Sequence, residues 1–538
     1  MKKSGAAIAV ACLIEQGVDT VFGYPGVSVL KIYDELYKNR RSIRHILTSH
    51  EQGAAHAADG YARATRRTGV CIATSGPGAT NLVTGIAAAF MDSSPVVFIT
   101  CNVPESQLGR DAFQEVDITG IAMPITKCCY LVRSAGEIAD TMREAFALAS
   151  SGRPGPVLID IMGNAVVETA EYEPSAGHAV TARRAARLLA PVRTDEEGVA
   201  AVAKALAEAE RPLIMAGGGV IRSGASEALL ALAEKTDTPV CTTMMGLGAI
   251  SSAHELCLGM AGVYGDARAR RAVDECDLLL AVGVRFSDRV TGPVETFAPK
   301  AKLVHIDIDR SEIDKNVLTD LHIVGDAGSV LSSLAGKVKK LSHAAWRDSL
   351  AQTKERVPGA PAEYVRAVRR AVGSDAVVVT DVGQHQLWTC RYFGFERPGE
   401  LITSGGFGAM GFGLGAAIGA RTGDPSRTVV HITGDGSFRM NLTELSTEVK
   451  YGLPVVTVVF NNGSLGMVRQ NQRQFMHSHF WQTKLDRGPD LMLLASAYGL
   501  EGRRVTDAEE LYEAVKELAG KGGIIDCRVG EDEEITAG

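Results

Sequence analysis

Residues 428–462 read TVVHITGDGSFRMNLTELSTEVKYGLPVVTVVFNN, and the β-branched runs at the two ends of this stretch decide the fold. Thr428–Thr433 is short and rich in branched side chains, the composition of a strand buried on both faces of a parallel sheet. Val455–Phe460 is a second such strand. Between them Asn441–Tyr451 is expected to be helical, stopped by Gly452 and Pro454. Asp435 then ends one strand and Asn462 the next, at the edge of an open α/β sheet where ligands bind. A carboxylate and an amide oxygen delivered from neighbouring strand ends suit a hard Mg²⁺ or Ca²⁺ that itself holds a diphosphate. Gly434 and Gly436 let backbone approach a phosphate, and Ser437 adds a hydroxyl. Gly-Asp-Gly or Asn-Asn alone would be an ordinary turn former. Together, in this order and spacing, they point to a diphosphate cofactor.

Working outward, strand-like runs alternate with helical patterns along all 538 residues, so the fold class is α/β, built of doubly wound parallel-sheet domains. Glu171–Glu197, with Pro174 and Pro191, and roughly Gly336–Pro361 break this rhythm and read as linkers. They leave blocks near 1–170, 190–335 and 362–530, each the size of one domain. A net charge of −7 with no long basic run argues against nucleic acid as a partner. The ten cysteines are scattered without a CxxC spacing, which suits reduced thiols in a cytoplasmic protein. Lys2-Lys3 and Ala6–Ile14 superficially resemble a secretory signal, but Glu15-Gln16-Gly17 and the strand-like Val18–Phe22 follow at once. The segment reads instead as a helix feeding a first strand. No apolar run approaches the ~20 residues of a membrane span, so no membrane association is expected.

In the first block Ile43–Thr48 reads as a strand, and His50-Glu51-Gln52-Gly53 opens an alanine-rich helix. Glu51 at that junction is a partly desolvated carboxyl suited to accepting and donating a proton, although from this block alone a first-turn helix glutamate is the plainer reading. Residues 74–81, TSGPGATN, make a glycine-rich turn before a helix. In the middle block Gly217-Gly218-Gly219 follows the strand Pro212–Ala216, and Thr243-Met244-Met245, Gly283-Val284-Arg285 and Asp307-Ile308 recur at similar junctions. These are glycine-permitted approaches to a nucleotide, with a strand-end acid.

Taken together, the motifs resemble the thiamine diphosphate enzymes of the acetolactate synthase (acetohydroxyacid synthase) family. The resemblance rests on GYPG at 23–26, HEQGAAHAADGYAR at 50–63, SGPGATN at 75–81, DAFQEVD at 111–117 and SGRPGPVLID at 151–160. It continues through GVRFSDRVTG at 283–292, HIDID at 305–309, GQHQ at 383–386, GGFGAMGFGL at 405–414 and GDGSFRMNLTEL at 434–445. It implies that Glu51 hydrogen-bonds the cofactor's pyrimidine, that Gly408 and Met410 bend the cofactor, and that Gln384, His385, Gly436 and Ser437 surround its diphosphate. Asp435, Asn462 and the carbonyl of Ser464 match the Mg²⁺ ligands. Gly217, Gly218, Gly219, Thr243, Met244, Met245, Gly283, Arg285, Asp307 and Ile308, with Arg153, Gly262, Gly265, Gly325 and Asp326, fall on FAD-contact positions. Arg289 matches the arginine that holds the carboxylate of a second 2-oxo acid, while Phe113, Gln114, Gly26 and Val27 neighbour the reacting carbons.

The resemblance implies condensation of two pyruvates to 2-acetolactate with loss of CO₂, the first common step of branched-chain amino-acid synthesis. The alternative is a divergent 2-oxo acid decarboxylase, oxidase or lyase with a different acceptor. A homodimer or homotetramer is implied, with the cofactor between the first block of one chain and the third of another, and room is left for a small regulatory subunit. Four positions depart from the family pattern. Gly163 stands where a lysine is usual, Asn471 where a tryptophan shapes the acceptor pocket, and Tyr264 and Asp266 where His-Gly-Thr is usual.

Overall fold

The computed structural model describes residues 1–174, 187, 190, 195–354 and 359–536. Among them three six-stranded sheets hold all strands but two, and within these sheets every neighbouring pair is parallel. The exceptions, Lys2–Ser4 and Thr169–Glu171, pair antiparallel and close the two ends of the first unit against each other.

In space the first sheet runs Arg44–Leu47, Thr20–Gly23, Gly69–Ala73, Val96–Cys101, Val157–Ile161, Cys128–Val132. The third runs Leu401–Thr403, Val377–Thr380, Val429–Gly434, Val455–Asn461, Gly523–Arg528, Gly502–Val505. With strands numbered by their place in the chain, both sheets have the order 2-1-3-4-6-5. The middle sheet is wired differently. Its series Cys257–Met260, Val240–Thr242, Pro212–Ala216, Leu278–Val282, Lys302–Asp307, Leu321–Val324 has the order 3-2-1-4-5-6. Each order reverses beside the sheet's first strand, and there the loops leave in opposite directions and open a crevice. All three motif clusters read from the sequence lie at these reversals.

The central strands form because their runs are almost wholly apolar: Val96–Cys101, Val157–Ile161 and Leu278–Val282 are buried throughout, and the polar exceptions Thr100 and Asp160 pair with each other at 2.7 Å. Helices then cover each sheet, giving every unit its own core. The first and third units also share a seam. Helix Glu51–Thr65 packs along helix Phe412–Gly423, and each follows the second strand of its sheet. The approach is so close that a Cβ at Gly60 would overlap the Ala416 carbonyl oxygen, and one at Gly419 the Ala57 carbonyl oxygen. At one end of the seam the Glu444 carboxylate accepts the backbone N–H groups of Ser49 and His50 at 3.0–3.1 Å.

Two local expectations change. The helix expected over Asn441–Tyr451 begins earlier, as Asp435–Asn441, and resumes as Leu445–Tyr451 after a 3₁₀ turn at Leu442–Glu444. Asp435 is thus the first helical residue, where a carboxylate is favoured by the free N–H ends. The stretch 336–361 contains a helix, Ala344–Ala351, whose Trp346 and Leu350 are buried against the middle sheet. Most of the other expected linker, Glu171–Glu197, lies outside the described residues, as do residues 355–358. All ten cysteines are free and eight are buried. Among the described residues no helix is long and apolar enough to cross a membrane.

Candidate active site

At the reversal of the third sheet, Gly434 caps the helix that starts at Asp435, and a cleft opens among Gln384, His385, Met410, Gly436, Ser437 and Asn462. Asp435 and Ser464 also line it. Burial pushes the Asp435 carboxyl up to about 6, against the lowering effect of its own backbone N–H, of Arg439 and of the N–H groups of Asn462 and Gly436. Asp435 and Asn462 are therefore brought together as expected. The Asn462 side-chain oxygen accepts the Ser464 N–H at 3.0 Å, while the Ser464 hydroxyl donates to the Thr483 carbonyl at 3.0 Å. Among the described residues no group of three or more His, Cys, Asp or Glu side chains gathers to bind a metal. What this cleft offers a hard cation is one carboxylate with neutral oxygens, the donor set of a metal shared with phosphate.

His385 supplies the clearest sign of an anion. It is buried, burial pushes its imidazole down to about 4, and its Nε2 has no hydrogen-bond partner. A neutral imidazole with Nε2 protonated would be satisfied by a phosphate oxygen. Gln384 is less available, because its amide donates to Gln470 Oε1 at 2.9 Å and to the Glu533 carbonyl at 2.7 Å. Met410 lines this cleft, whereas Gly408, with φ 71°, lines the neighbouring larger cavity.

A second cluster forms at the reversal of the first sheet. Glu51 opens its helix, and its Oε2 accepts the Asn81 amide at 3.0 Å. A Cβ at Gly78 would stand 3.2 Å from Glu51 Oε1, so the glycine-rich turn lies directly against the carboxylate. Gly26 packs on Thr74, and Gln114, at φ 61°, packs on Gly76. Val27 and Phe113 point outward, 78% and 84% exposed. The residues lining the cleft at Asp435 all fall between Val382 and Val529. Glu51 of the same chain is not among the residues that line this cleft.

The reversal of the middle sheet opens onto a cavity of about 520 Å³, walled by Gly218, Thr243, Met244, Met245, Gly283 and Arg285. Gly217 and Gly219 lie behind it, against the backbone of Gly283. Several expected contacts do not line this cavity. Arg153 pairs with Glu312 at 2.7 Å and Asp309 at 3.3 Å, and Asp326 caps helix Ala327–Lys337. Gly325 donates its N–H to the Asp307 carbonyl, and Gly265 to that of Gly262. Asp307 ends its strand with its carboxyl pushed up to about 6 by burial, and Ile308 follows half-buried.

Residues 3–121 match the N-terminal TPP binding domain of the thiamine pyrophosphate enzymes, residues 199–334 their central domain, and residues 381–527 their C-terminal TPP binding domain. The probable acetolactate synthase large subunit of Methanocaldococcus jannaschii is 44% identical over 95% of this chain and 89% of its own. The acetolactate synthase isozyme 2 large subunit of Escherichia coli K12 is 42% identical over 98% and 96%, and the large subunit of Parasynechococcus marenigrum is 45% identical over 95% and 84%. The chain belongs to the acetolactate synthase family.

Against that family's pattern the departures take on a place. Asn471 and Tyr264 line the 520 Å³ cavity together with Arg289. The Arg289 side chain is 75% exposed, and its Nε stands 3.7 Å from Asp288, an exposed contact worth little. Asp266 accepts the Met260 N–H at 2.6 Å and reaches Arg391 at 3.6 Å, so it ties the middle unit to the third. Gly163 opens the short helix Gly163–Val167 beside Pro104. Sequence reasoning did not single out Asn81, although it ends a motif quoted for the acetolactate synthase family. Nor did it find Trp388, on the cleft wall, or Asp92, which accepts the Gly406 N–H at 2.7 Å and an Arg63 N–H at 3.2 Å. A lone tryptophan or aspartate carries no spacing signal.

Proposed function

We propose that the chain is the catalytic subunit of an acetolactate synthase, joining two pyruvates to 2-acetolactate with uptake of one proton and release of CO₂. The observation that carries this reading is the cleft at the third-sheet reversal, where Asp435 and Asn462 meet beside the unsatisfied nitrogen of His385. Asp435, the Asn462 amide oxygen and the Ser464 carbonyl would hold Mg²⁺, and His385, Gly436 and Ser437 would hold the diphosphate. Thiamine diphosphate, when bound, supplies the electron sink that lets the first pyruvate lose CO₂ and makes its remaining two carbons nucleophilic. Glu51 would hold the proton at the pyrimidine nitrogen, its carboxylate oriented by Asn81. Arg289 would clamp the carboxylate of the second 2-oxo acid. Phe113, Gln114, Gly26 and Val27 would keep water from the reacting carbons.

The cavity of the middle unit suits FAD, whose contacts would centre on Gly218, Thr243–Met245, Gly283 and Arg285. Because Glu51 does not line the cleft that holds Asp435 of the same chain, the working site would be formed by two chains, each lending its first unit to the other's third. The relatives are named large subunits, which supports a smaller partner chain as well. The test is incubation of purified protein with pyruvate, thiamine diphosphate, Mg²⁺ and FAD, followed by acid conversion of acetolactate to acetoin. Acetoin after acidification is expected. Acetaldehyde or acetyl phosphate in its place would make the protein a decarboxylase or an oxidase.

A further inference from the structure

Asp381 lies just beyond strand Val377–Thr380, between the two loops that build the diphosphate cleft, and none of the sequence motifs assigns it a part. Its side chain is 1% exposed. One oxygen accepts the Gly413 N–H at 2.9 Å, in the first turn of helix Phe412–Gly423 and three residues after Met410. The other accepts the Thr433 hydroxyl at 2.7 Å and faces His431 Nε2 at 3.0 Å. His431 is fully buried, its Nδ1 3.4 Å from the Thr457 hydroxyl. Burial pushes the Asp381 carboxyl up, but hydrogen bonding and charge from His431, with the N–H of Gly413 and the hydroxyl of Thr433, bring it down to about 2. A Cβ on Gly413 would overlap His431 Nε2, so the loop is seated directly on this pair.

The backbone at Asp381 is equally committed. Its N–H donates to the Ile432 carbonyl at 3.1 Å, and the next residue, Val382, accepts the Ser437 hydroxyl at 3.0 Å. Val382 lines both the diphosphate cleft and the larger cavity. The residue that leads into the turn Val382–His385 is therefore joined by its carboxylate to the first turn of helix Phe412–Gly423, where the loop Ser404–Gly411 ends. We infer that Asp381, held by His431, is a positioning residue that sets the Met410 loop at its working distance from the diphosphate turn. This deepens the proposed carboligase reading and rests on it for its catalytic consequence.

The structural part is tested without cofactor, by hydrogen exchange on the full chain, so its outcome is separate from that of the acetoin assay. In Asp381→Asn the amides of 406–413 should exchange about tenfold faster, while those of the central strands keep their protection. In the loaded enzyme kcat should fall about tenfold with the KM for pyruvate little changed, and quenching of Trp388, on the cleft wall, should still report thiamine diphosphate binding. His431→Gln, which keeps a donor toward Asp381, should protect the loop better than His431→Leu. Unchanged exchange at 406–413 in a folded Asp381→Asn protein would overturn the inference. So would loss of protection spread evenly over the whole unit. If Asp381→Asn does not fold, the comparison of the two His431 variants decides: equal loop exchange in both refutes it.

Discussion

At the scale of single residues, a half-buried carboxyl and a fully buried one serve opposite ends. Glu51 meets Asn81 on one side and the glycine-rich turn on the other, a setting that fixes its direction. Glu51→Gln keeps the shape and removes the proton, so turnover should fall by about 10²-fold or more with the melting temperature little changed. A steady-state rate near that of the parent protein would exclude Glu51 from proton transfer. Glu448 is buried at the entry to strand Val455–Asn461. Its Oε1 accepts the Val455 N–H at 3.3 Å, its Oε2 has no partner, and burial pushes its carboxyl up to about 8. The folded state keeps this proton in a pH range where the unfolded chain, at the ordinary value of 4.5, has lost it. Stability linked to Glu448 is therefore full below about 4.5 and declines as pH rises toward 8. Glu448→Gln should remove that decline and melt roughly 2–4 °C higher at pH 8. Thermal unfolding of both proteins across pH 5–8 measures the difference, and parallel curves would show that Glu448 is not held neutral.

At the scale of elements, the seam between Glu51–Thr65 and Phe412–Gly423 is a tight joint between two units. Gly419→Val would drive a branched side chain into the Ala57 carbonyl, at a cost of about 1–3 kcal/mol or more. Chemical denaturation should show the loss, and thiamine diphosphate retention should weaken with it. An unchanged midpoint would mean that the helices slide apart without penalty. Strands were the elements most legible from sequence. Val429–Gly434, Val455–Asn461 and Pro212–Ala216 are branched, apolar and bounded by glycine, proline or charge, so local preference and tertiary burial agree. The helix beginning at Asp435 was not legible, because Gly-Asp-Gly-Ser has the local preference of a turn and only the surrounding sheet makes it helical. Helix Ala344–Ala351 was missed for a related reason. Two buried anchors, Trp346 and Leu350, dock it, too few to show a period among charged neighbours.

At the scale of the whole molecule, the motif clusters were visible in the chain, while their division between the first block of one chain and the third of another came from the family resemblance and not from spacing. Spacing reports which strand end a residue occupies, and says nothing of how two sheets are turned toward each other. The proposed two-chain site gives a prediction that no single-chain site would share. Asp435→Ala and Glu51→Gln proteins, each nearly inactive, should recover activity when unfolded together and refolded. In a mixed pair one site carries both lesions and the other neither, so about a quarter of the parent activity should return. No recovery, with mixed pairs demonstrated by sedimentation and tagging, would place both residues in one chain's own site.

The shared 2-1-3-4-6-5 wiring of the outer sheets carries a historical consequence. Two copies of one ancestral gene, fused in tandem around a foreign insert, would yield this chain, with each copy later specialising toward a different portion of the same small molecule. The helices that meet at the glycine seam would then be the old contact between identical partners, preserved after the partners became one polypeptide.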